Sequence, residues 1–118
     1  MTKILQELLG EFKNIKGIKA ATLVSRSGMY ISGDVPPGAH NETYVAMAAI
    51  ILGASEASST ELKKELSHIE VDMTNAWVYL FGCGTKALLV LFADTKVNIA
   101  GEKGPIDDLM DKIRENMA

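Results

Sequence analysis

The sequence predicts a layered α/β domain, of the α+β kind, with the element order α-β-β-α-β-β-β-α. Apolar residues at helical spacing mark the first and last segments, and two nearly continuous apolar runs mark central strands. A long apolar segment from residue 41 to about 62 has no polar side. Together these elements predict a five-stranded, mainly antiparallel sheet with one helix on one face and two on the other.

The N-terminal part of the chain predicts a helix followed by a β-hairpin. Residues 2–15 carry apolar side chains at helical spacing, on one side of the predicted helix. Two extended runs, residues 19–26 and 29–35, are joined by a turn that contains Gly28, which is typical of a β-hairpin. Pro36 and Pro37 end the second strand, because proline cannot donate a hydrogen bond to a neighbouring strand.

The second predicted helix starts at Asn41, a good N-cap, and runs to about Leu62 or Leu66. No charged residue occurs between Tyr44 and Ser55, and apolar residues surround the helix axis. A helix that covers only one face of a core normally keeps a polar side. We therefore expect this helix to be covered twice, by its own sheet and by a second protein molecule.

The C-terminal half of the chain predicts three strands and a helix. Residues 67–74 alternate between apolar and polar side chains, which is typical of a half-buried or edge strand. Residues 76–81 and 87–93 are nearly continuous apolar runs, as in central strands that are covered on both faces. The last helix is expected to begin near Gly104, with Pro105 at a first-turn position that suits it.

Composition indicates an ordinary globular chain and excludes several classes of protein. The 118 residues fit one domain, 1–118. A net charge of −3 and scattered lysines give no reason to expect nucleic acid as a partner. The N-terminus lacks the features of a signal peptide, and no run approaches the roughly 18 apolar residues of a membrane span, so we expect a cytoplasmic protein without membrane insertion. The single cysteine excludes an internal disulfide.

No catalytic residue, cofactor or metal is expected from the chemistry of the polar residues. The run Gly82–Lys86 resembles a phosphate-binding loop, but a strand follows it where such a loop requires a helix. A cysteine–histidine pair would need Cys83 close to His40 or His68, and nothing in the sequence places them together. Two separated histidines and one cysteine are also a poor zinc-binding set.

The charged residues are best explained as solvated or protective groups. The aspartates between residues 107 and 111 complement the dipole at the start of the last helix. Glu70 and Asp72 project from one side of the predicted edge strand, where charge discourages unwanted strand pairing. Arg26 lies in the hairpin turn and could act as an arginine finger in phosphoryl transfer, but a solvated turn charge is the simpler interpretation.

Several segments, in order along the chain, resemble the Roadblock/dynein light-chain family, including the bacterial motility partners of Ras-like GTPases. They are the hairpin at residues 22–32, the residues 47–53 of the second helix, the strand at residues 86–94, and residues 97–100. The resemblance implies a profilin-like fold and a dimer in which the second helices and third strands of two protomers meet. It also implies binding to a small GTPase, or to motor and membrane-tethered complexes. Gly101, Gly104 and Pro105 depart from the family's often continuous final helix.

The expected function is a non-catalytic, dimeric adaptor or regulator that binds a small Ras-like GTPase or a multiprotein assembly. The chain is expected to form a homodimer or a heterodimer with a paralogue, through an interface that comprises Ala46, Ala49, Ile50, Gly53, Ala57, Ile69, Glu70, Val71 and Asp72. Four residues on or beside the second helix are candidates for binding the partner: Glu42, Thr43, Met47 and Glu56. A small-ligand sensor of a related layered fold and a purely structural subunit are the alternatives.

Overall fold

The computed structural model describes residues 2–117, and its elements follow the predicted order. They are the helix α1 (Thr2–Glu11), a 3₁₀ turn (Phe12–Asn14), β1 (Ile18–Ser25), β2 (Tyr30–Gly33), α2 (Asn41–Leu62), β3 (Ile69–Met73), β4 (Ala76–Cys83), β5 (Ala87–Ala93) and α3 (Lys103–Glu115). The strands form one antiparallel sheet in the order β2-β1-β5-β4-β3. Helix α2 covers one face, and α1 and α3 cover the other, which confirms the predicted fold class.

The sheet separates two hydrophobic cores of unequal size. The larger core lies under α1 and α3 and includes Leu9, Phe12, Tyr79 and Ile113. The smaller core lies under α2 and consists of Val24, Val45, Ala48, Leu52, Leu80, Leu88 and Val90. Because β5 lies at the centre of the sheet between two covered faces, six of its seven residues are buried, as its continuous apolar run predicted.

The structure corrects one predicted boundary of each helix, and the strand ends also differ from the prediction by up to two residues. The first helix is α-helical only to Glu11, and a 3₁₀ turn replaces its predicted last turn. Asn41 is the first residue of α2 and not its N-cap, because His40 occupies the cap position with an extended backbone and makes no side-chain capping bond. Helix α3 begins at Lys103, one residue before the predicted start, and residues 99–102 form turns.

The short strand β2 depends on a glycine at its end. Gly33 has a backbone φ of +99°, a region that L side chains rarely adopt. An added Cβ at Gly33 would also collide with the carbonyl oxygen of Ala21 in β1. The hairpin therefore requires glycine at this position. No helix among residues 2–117 is both long enough and apolar enough to cross a lipid bilayer.

Candidate interaction surface

Within residues 2–117, helix α2 is the only helix on its face of the sheet, and it buries one narrow row of side chains there. Val45, Ala48 and Leu52 recur at helical spacing and are 1–4% exposed. Their partners in the smaller core come from β1, β4 and β5. In the described part of the chain, no second helix lies beside the remaining sides of α2.

The side of α2 that points away from the sheet is apolar and open. Ile50 is 70% exposed and Met47 is 55% exposed, although both are large apolar residues. Gly53, Ala54 and Ala57 are also exposed. Together they form an apolar surface without a charged side chain, of the kind that marks sites of protein association.

An apolar groove continues this surface toward the sheet edge. It has a volume of about 230 Å³ and lies between α2 and the strands β3 and β4, with a lining of Tyr44, Met47, Ala48, Ile51, Val71, Met73, Val78, Leu80 and Val90. The hydroxyl of Tyr44 is buried and has no hydrogen-bond partner within residues 2–117. Burial raises the pKa of Tyr44 above its usual range, so the phenol stays neutral.

The two flanks of α2 face different neighbours. Met47, Ile51, Ala54 and Ser58 follow one another at helical spacing along what we call the β3 flank, since its first two residues line the groove beside β3. The hairpin flank consists of Ala46, Ala49, Gly53 and Glu56. There, a Cβ placed on Gly28 would lie 3.4 Å from the Cα of Ala46 and 3.7 Å from the Cβ of Ala49.

The predicted dimer residues therefore do not lie together in the protomer. Ala46 and Ala49 lie next to the β1–β2 turn of their own chain, and Gly53 shares their flank. The strand residues Ile69–Asp72 lie beyond the opposite flank, at the edge of the sheet. Ile50 and Ala57 point outward between the two flanks and are exposed. Helical spacing identified the small residues but gave no information on which flank adjoins β3.

Strand β3 is an edge strand, and its two faces differ in chemistry. It pairs with β4 alone, in a register that places Glu70 opposite Tyr79 and Asp72 opposite Trp77. Directly opposed residues lie on one face of a sheet, so both acids lie on the face that α1 and α3 cover. Ile69 and Val71 lie on the α2 face. One Glu70 carboxylate oxygen is 3.8 Å from the Lys96 ammonium.

The interpretation of Arg26 as a solvated turn charge was wrong. Its side chain is 29% exposed and forms an ion pair with Glu56 of α2. It also donates a hydrogen bond of 2.8 Å to the carbonyl oxygen of Gly84 in the β4–β5 turn. The arginine thus joins two turns to the middle of α2. No sequence pattern indicated this contact, because the two charged residues are 30 positions apart.

The four candidate partner-binding residues fall into two groups. Glu42 and Thr43 are exposed in the first turn of α2, and Met47 is exposed one turn later. Glu56 lies about two and a half turns further along the helix, and its carboxylate already binds Arg26 within the chain. The N-terminal turns of α2 therefore bring three of the four candidates together, and Glu56 is separate from them.

Cys83 and His68 make their contacts with different residues. Cys83 is 2% exposed, and this burial raises the pKa of its thiol above the usual value. The nearby arginine charges lower the pKa, but by less than burial raises it. A raised thiol pKa lowers the fraction of nucleophilic thiolate. His68 stacks on Phe81 with ring centroids 5.4 Å apart. Residues 2–117 contain no group of three or more histidine, cysteine or acidic side chains that could hold a metal ion.

Comparison with known proteins identifies a family and several relatives. The family described as the Roadblock/LC7 domain matches residues 4–93. An uncharacterized protein of Methanocaldococcus jannaschii, MJ0714, is 25% identical over 112 residues, which cover 94% of this chain and 94% of that protein. A second uncharacterized protein of the same organism, MJ0310, is 25% identical over 112 residues and is covered over 97% of its length.

Solved structures share the fold at low sequence identity. Myxococcus xanthus MglB superposes with a TM-score of 0.84 at 14% identity, over 97% of this chain and 94% of that chain. A structure described as MglB with tetrameric arrangement has a TM-score of 0.83 at 19% identity, over 97% of this chain and 88% of that chain. The Roadblock/LC7 domain from Streptomyces avermitilis has a TM-score of 0.79 at 13% identity, over 99% and 97% of the two chains.

Proposed function

Because this chain belongs to the Roadblock/LC7 domain family, we propose that it is a non-catalytic, cytoplasmic adaptor that dimerises and binds a small Ras-like GTPase. The observation that carries the proposal is the outward side of α2. That side exposes Ile50 and Met47 without any charged neighbour between Tyr44 and Ser55. Contact of such an apolar surface with water is unfavourable, and a second protein that covers it lowers the free energy.

The dimer is proposed to form through the β3 flank of α2 and the free edge of β3. The apolar groove lies between these two elements, so one partner molecule can cover the helix flank, the groove and the strand edge together. A standard protein interface hides about 800 Å² on each partner, which a long helix and an adjoining strand edge can supply. Ala54 and Ser58 are small and would let the second helix approach closely.

The partner surface is proposed to include the N-terminal turns of the paired α2 helices. Glu42 and Thr43 lie at the start of α2 and are exposed. Met47, one turn later, is also exposed and would lie where the dimer contact on the β3 flank meets this platform. When the β3 flanks meet in a dimer, the outward sides of both helices remain available as one platform. The adaptor would act by surface complementarity, since a ligand that binds one conformation of the GTPase switch segments better shifts their equilibrium toward it.

Two alternatives to GTPase binding predict different behaviour. A small-ligand sensor would need convergent polar groups in a pocket, whereas the groove beside β3 offers only the Tyr44 hydroxyl among apolar side chains. A purely structural subunit would bind its assembly regardless of nucleotide. Nucleotide dependence of partner binding therefore separates the proposed function from the structural alternative.

The proposal is tested by affinity capture on the intact protein, with guanine nucleotide added to the lysate or withheld. We expect a small Ras-like GTPase in the eluate, identified by mass spectrometry, in an amount that depends on the nucleotide. The double variant Glu42→Arg and Thr43→Arg should lose this GTPase while its dimer mass stays unchanged. Capture that is the same with both proteins and both nucleotide conditions would refute the proposed platform.

A further inference from the structure

The free edge of β3 combines backbone groups that can pair with another strand and a set of charges that governs which strand fits. An unpaired edge strand is a template for strand addition, and charged side chains along it restrict that addition. In β3 the backbone of Ile69–Met73 pairs with β4 on one side only. Glu70 and Asp72 are exposed and occupy the same face of this strand.

The geometry of strand pairing brings acids of two identical chains to the same face. In an antiparallel pair, directly opposed residues lie on one face of the sheet. A dimer that places both α2 helices on one face must therefore place Glu70 and Asp72 of both copies on the other face. Antiparallel pairing of two copies centred on Val71 places Glu70 of each copy opposite Asp72 of the other. Pairing centred on Glu70 or on Asp72 sets that acid opposite itself.

The nearby charges compensate this repulsion only in part. Lys96 lies 3.8 Å from Glu70, with its side chain 65% exposed. Asp72 forms no ion pair with any side chain of residues 3–117. Two identical copies would thus bring together four carboxylates and two ammonium groups. Like charges directly opposite each other destabilise strand pairing, and opposite charges stabilise it.

We propose that the β3 edge selects its dimer partner by charge, and that it prefers a Roadblock-type chain with basic residues facing Glu70 and Asp72 over a second copy of itself. This inference rests on the proposed dimer and specifies which partner fits it. Apolar contacts along the β3 flank supply the affinity, whereas the charged face of β3 discriminates between partners. Discrimination of this kind combines attraction to one partner with repulsion of another.

The test uses a charge-reversed copy of this chain as the basic partner. The double variant Glu70→Lys and Asp72→Lys carries a mass tag and is mixed with an equal amount of wild-type protein at low salt. Native mass spectrometry then counts the homodimers and the mixed dimers. Random mixing makes half of all dimers mixed. We expect the equilibrium constant for exchange to exceed its random value by about tenfold, because the four repulsive facing pairs of two homodimers become attractive pairs in two mixed dimers. High salt should reduce this preference by screening.

A matched control places the same charge change at the other side of the molecule. Glu7 and Glu11 are exposed on α1, which packs beside β2 at the opposite edge of the sheet. The variant Glu7→Lys and Glu11→Lys should mix with wild type at random. A neutral variant, Glu70→Gln and Asp72→Asn, should form homodimers about fivefold more tightly than wild type at low salt.

The outcomes separate this inference from the proposed dimer. Preferred mixed dimers support charge selection, and they do so even where the wild type alone is monomeric. Random mixing of wild type with the lysine variant, together with no gain for the neutral variant, overturns charge selection and leaves the dimer in place. Monomers in every sample overturn the dimer and the inference together.

Discussion

Replacing Ala54 with arginine should abolish the dimer without unfolding the protomer. Ala54 is exposed in the protomer and lies on the β3 flank between Met47 and Ser58. Arginine and alanine are both good helix formers, so the free energy of unfolding of the protomer should change by only a few tenths of a kcal/mol. In the dimer, the new guanidinium would be buried against the second α2 helix without an acidic partner.

The size of the effect follows from the cost of an unpaired buried charge. That cost is about 3–5 kcal/mol, and each tenfold change in an equilibrium constant corresponds to about 1.4 kcal/mol. The dissociation constant of the Ala54→Arg dimer should therefore rise by roughly two to three and a half orders of magnitude. Sedimentation equilibrium from submicromolar to high micromolar concentration measures it, and thermal unfolding reports whether the protomer is intact.

Gly53→Arg is the matched control, because it places the same charge one residue away on the hairpin flank. A Cβ at Gly53 has no other heavy atom within 4 Å, and arginine is favoured over glycine in a helix by about 0.8 kcal/mol. This variant should be slightly more stable than wild type and should remain dimeric. Loss of the dimer in Gly53→Arg but not in Ala54→Arg would refute the β3-flank interface and favour an interface through the hairpin flank.

Three further predictions concern the protomer. Glu56→Gln should lower the free energy of unfolding by about 1 kcal/mol, measured with urea, because it removes a half-exposed ion pair of Arg26. Gly33→Ala should lower the free energy of unfolding by about 3 kcal/mol or more, because alanine at this position strains the backbone and collides with β1. Gly10 lies in open space on α1, so Gly10→Ala should raise the free energy of unfolding by about 0.5–1 kcal/mol. Cys83 should react with a thiol reagent more slowly in the folded than in the urea-unfolded protein. In the folded protein the reaction should also require a higher pH, because the pKa of the thiol is raised. Equal rates in both states would contradict the burial of Cys83.

Much of the fold followed from apolar patterning along the chain. Strand β5 spans the predicted residues Ala87–Ala93, and α2 ends at Leu62, one of the two predicted ends. The start of α3 was predicted to within one residue, because glycine and proline next to it limit where a helix can begin. These features depend on local spacing and on residues with special backbone preferences, which a sequence displays directly.

The arrangement of the candidate surface depended on contacts that no local pattern contains. Whether Ala46 or Met47 faces β3 is decided by how α2 is rotated over the sheet, and that rotation follows from the packing of Val45 and Leu52. The pairing of Arg26 with Glu56 requires the hairpin turn to meet the middle of α2. Both depend on the tertiary fold, so helical periodicity could indicate an unusual helix without assigning its flanks.

The mass of the wild-type protein in solution tests the proposed dimer most directly. The protomer mass is 12.7 kDa. Light scattering coupled to size-exclusion chromatography at micromolar concentration and physiological salt should give twice that value, since the β3 flank of α2, the groove and the edge of β3 require a second cover. A mass of 12.7 kDa at that concentration, for folded protein, would contradict the proposal that this surface forms a homodimer.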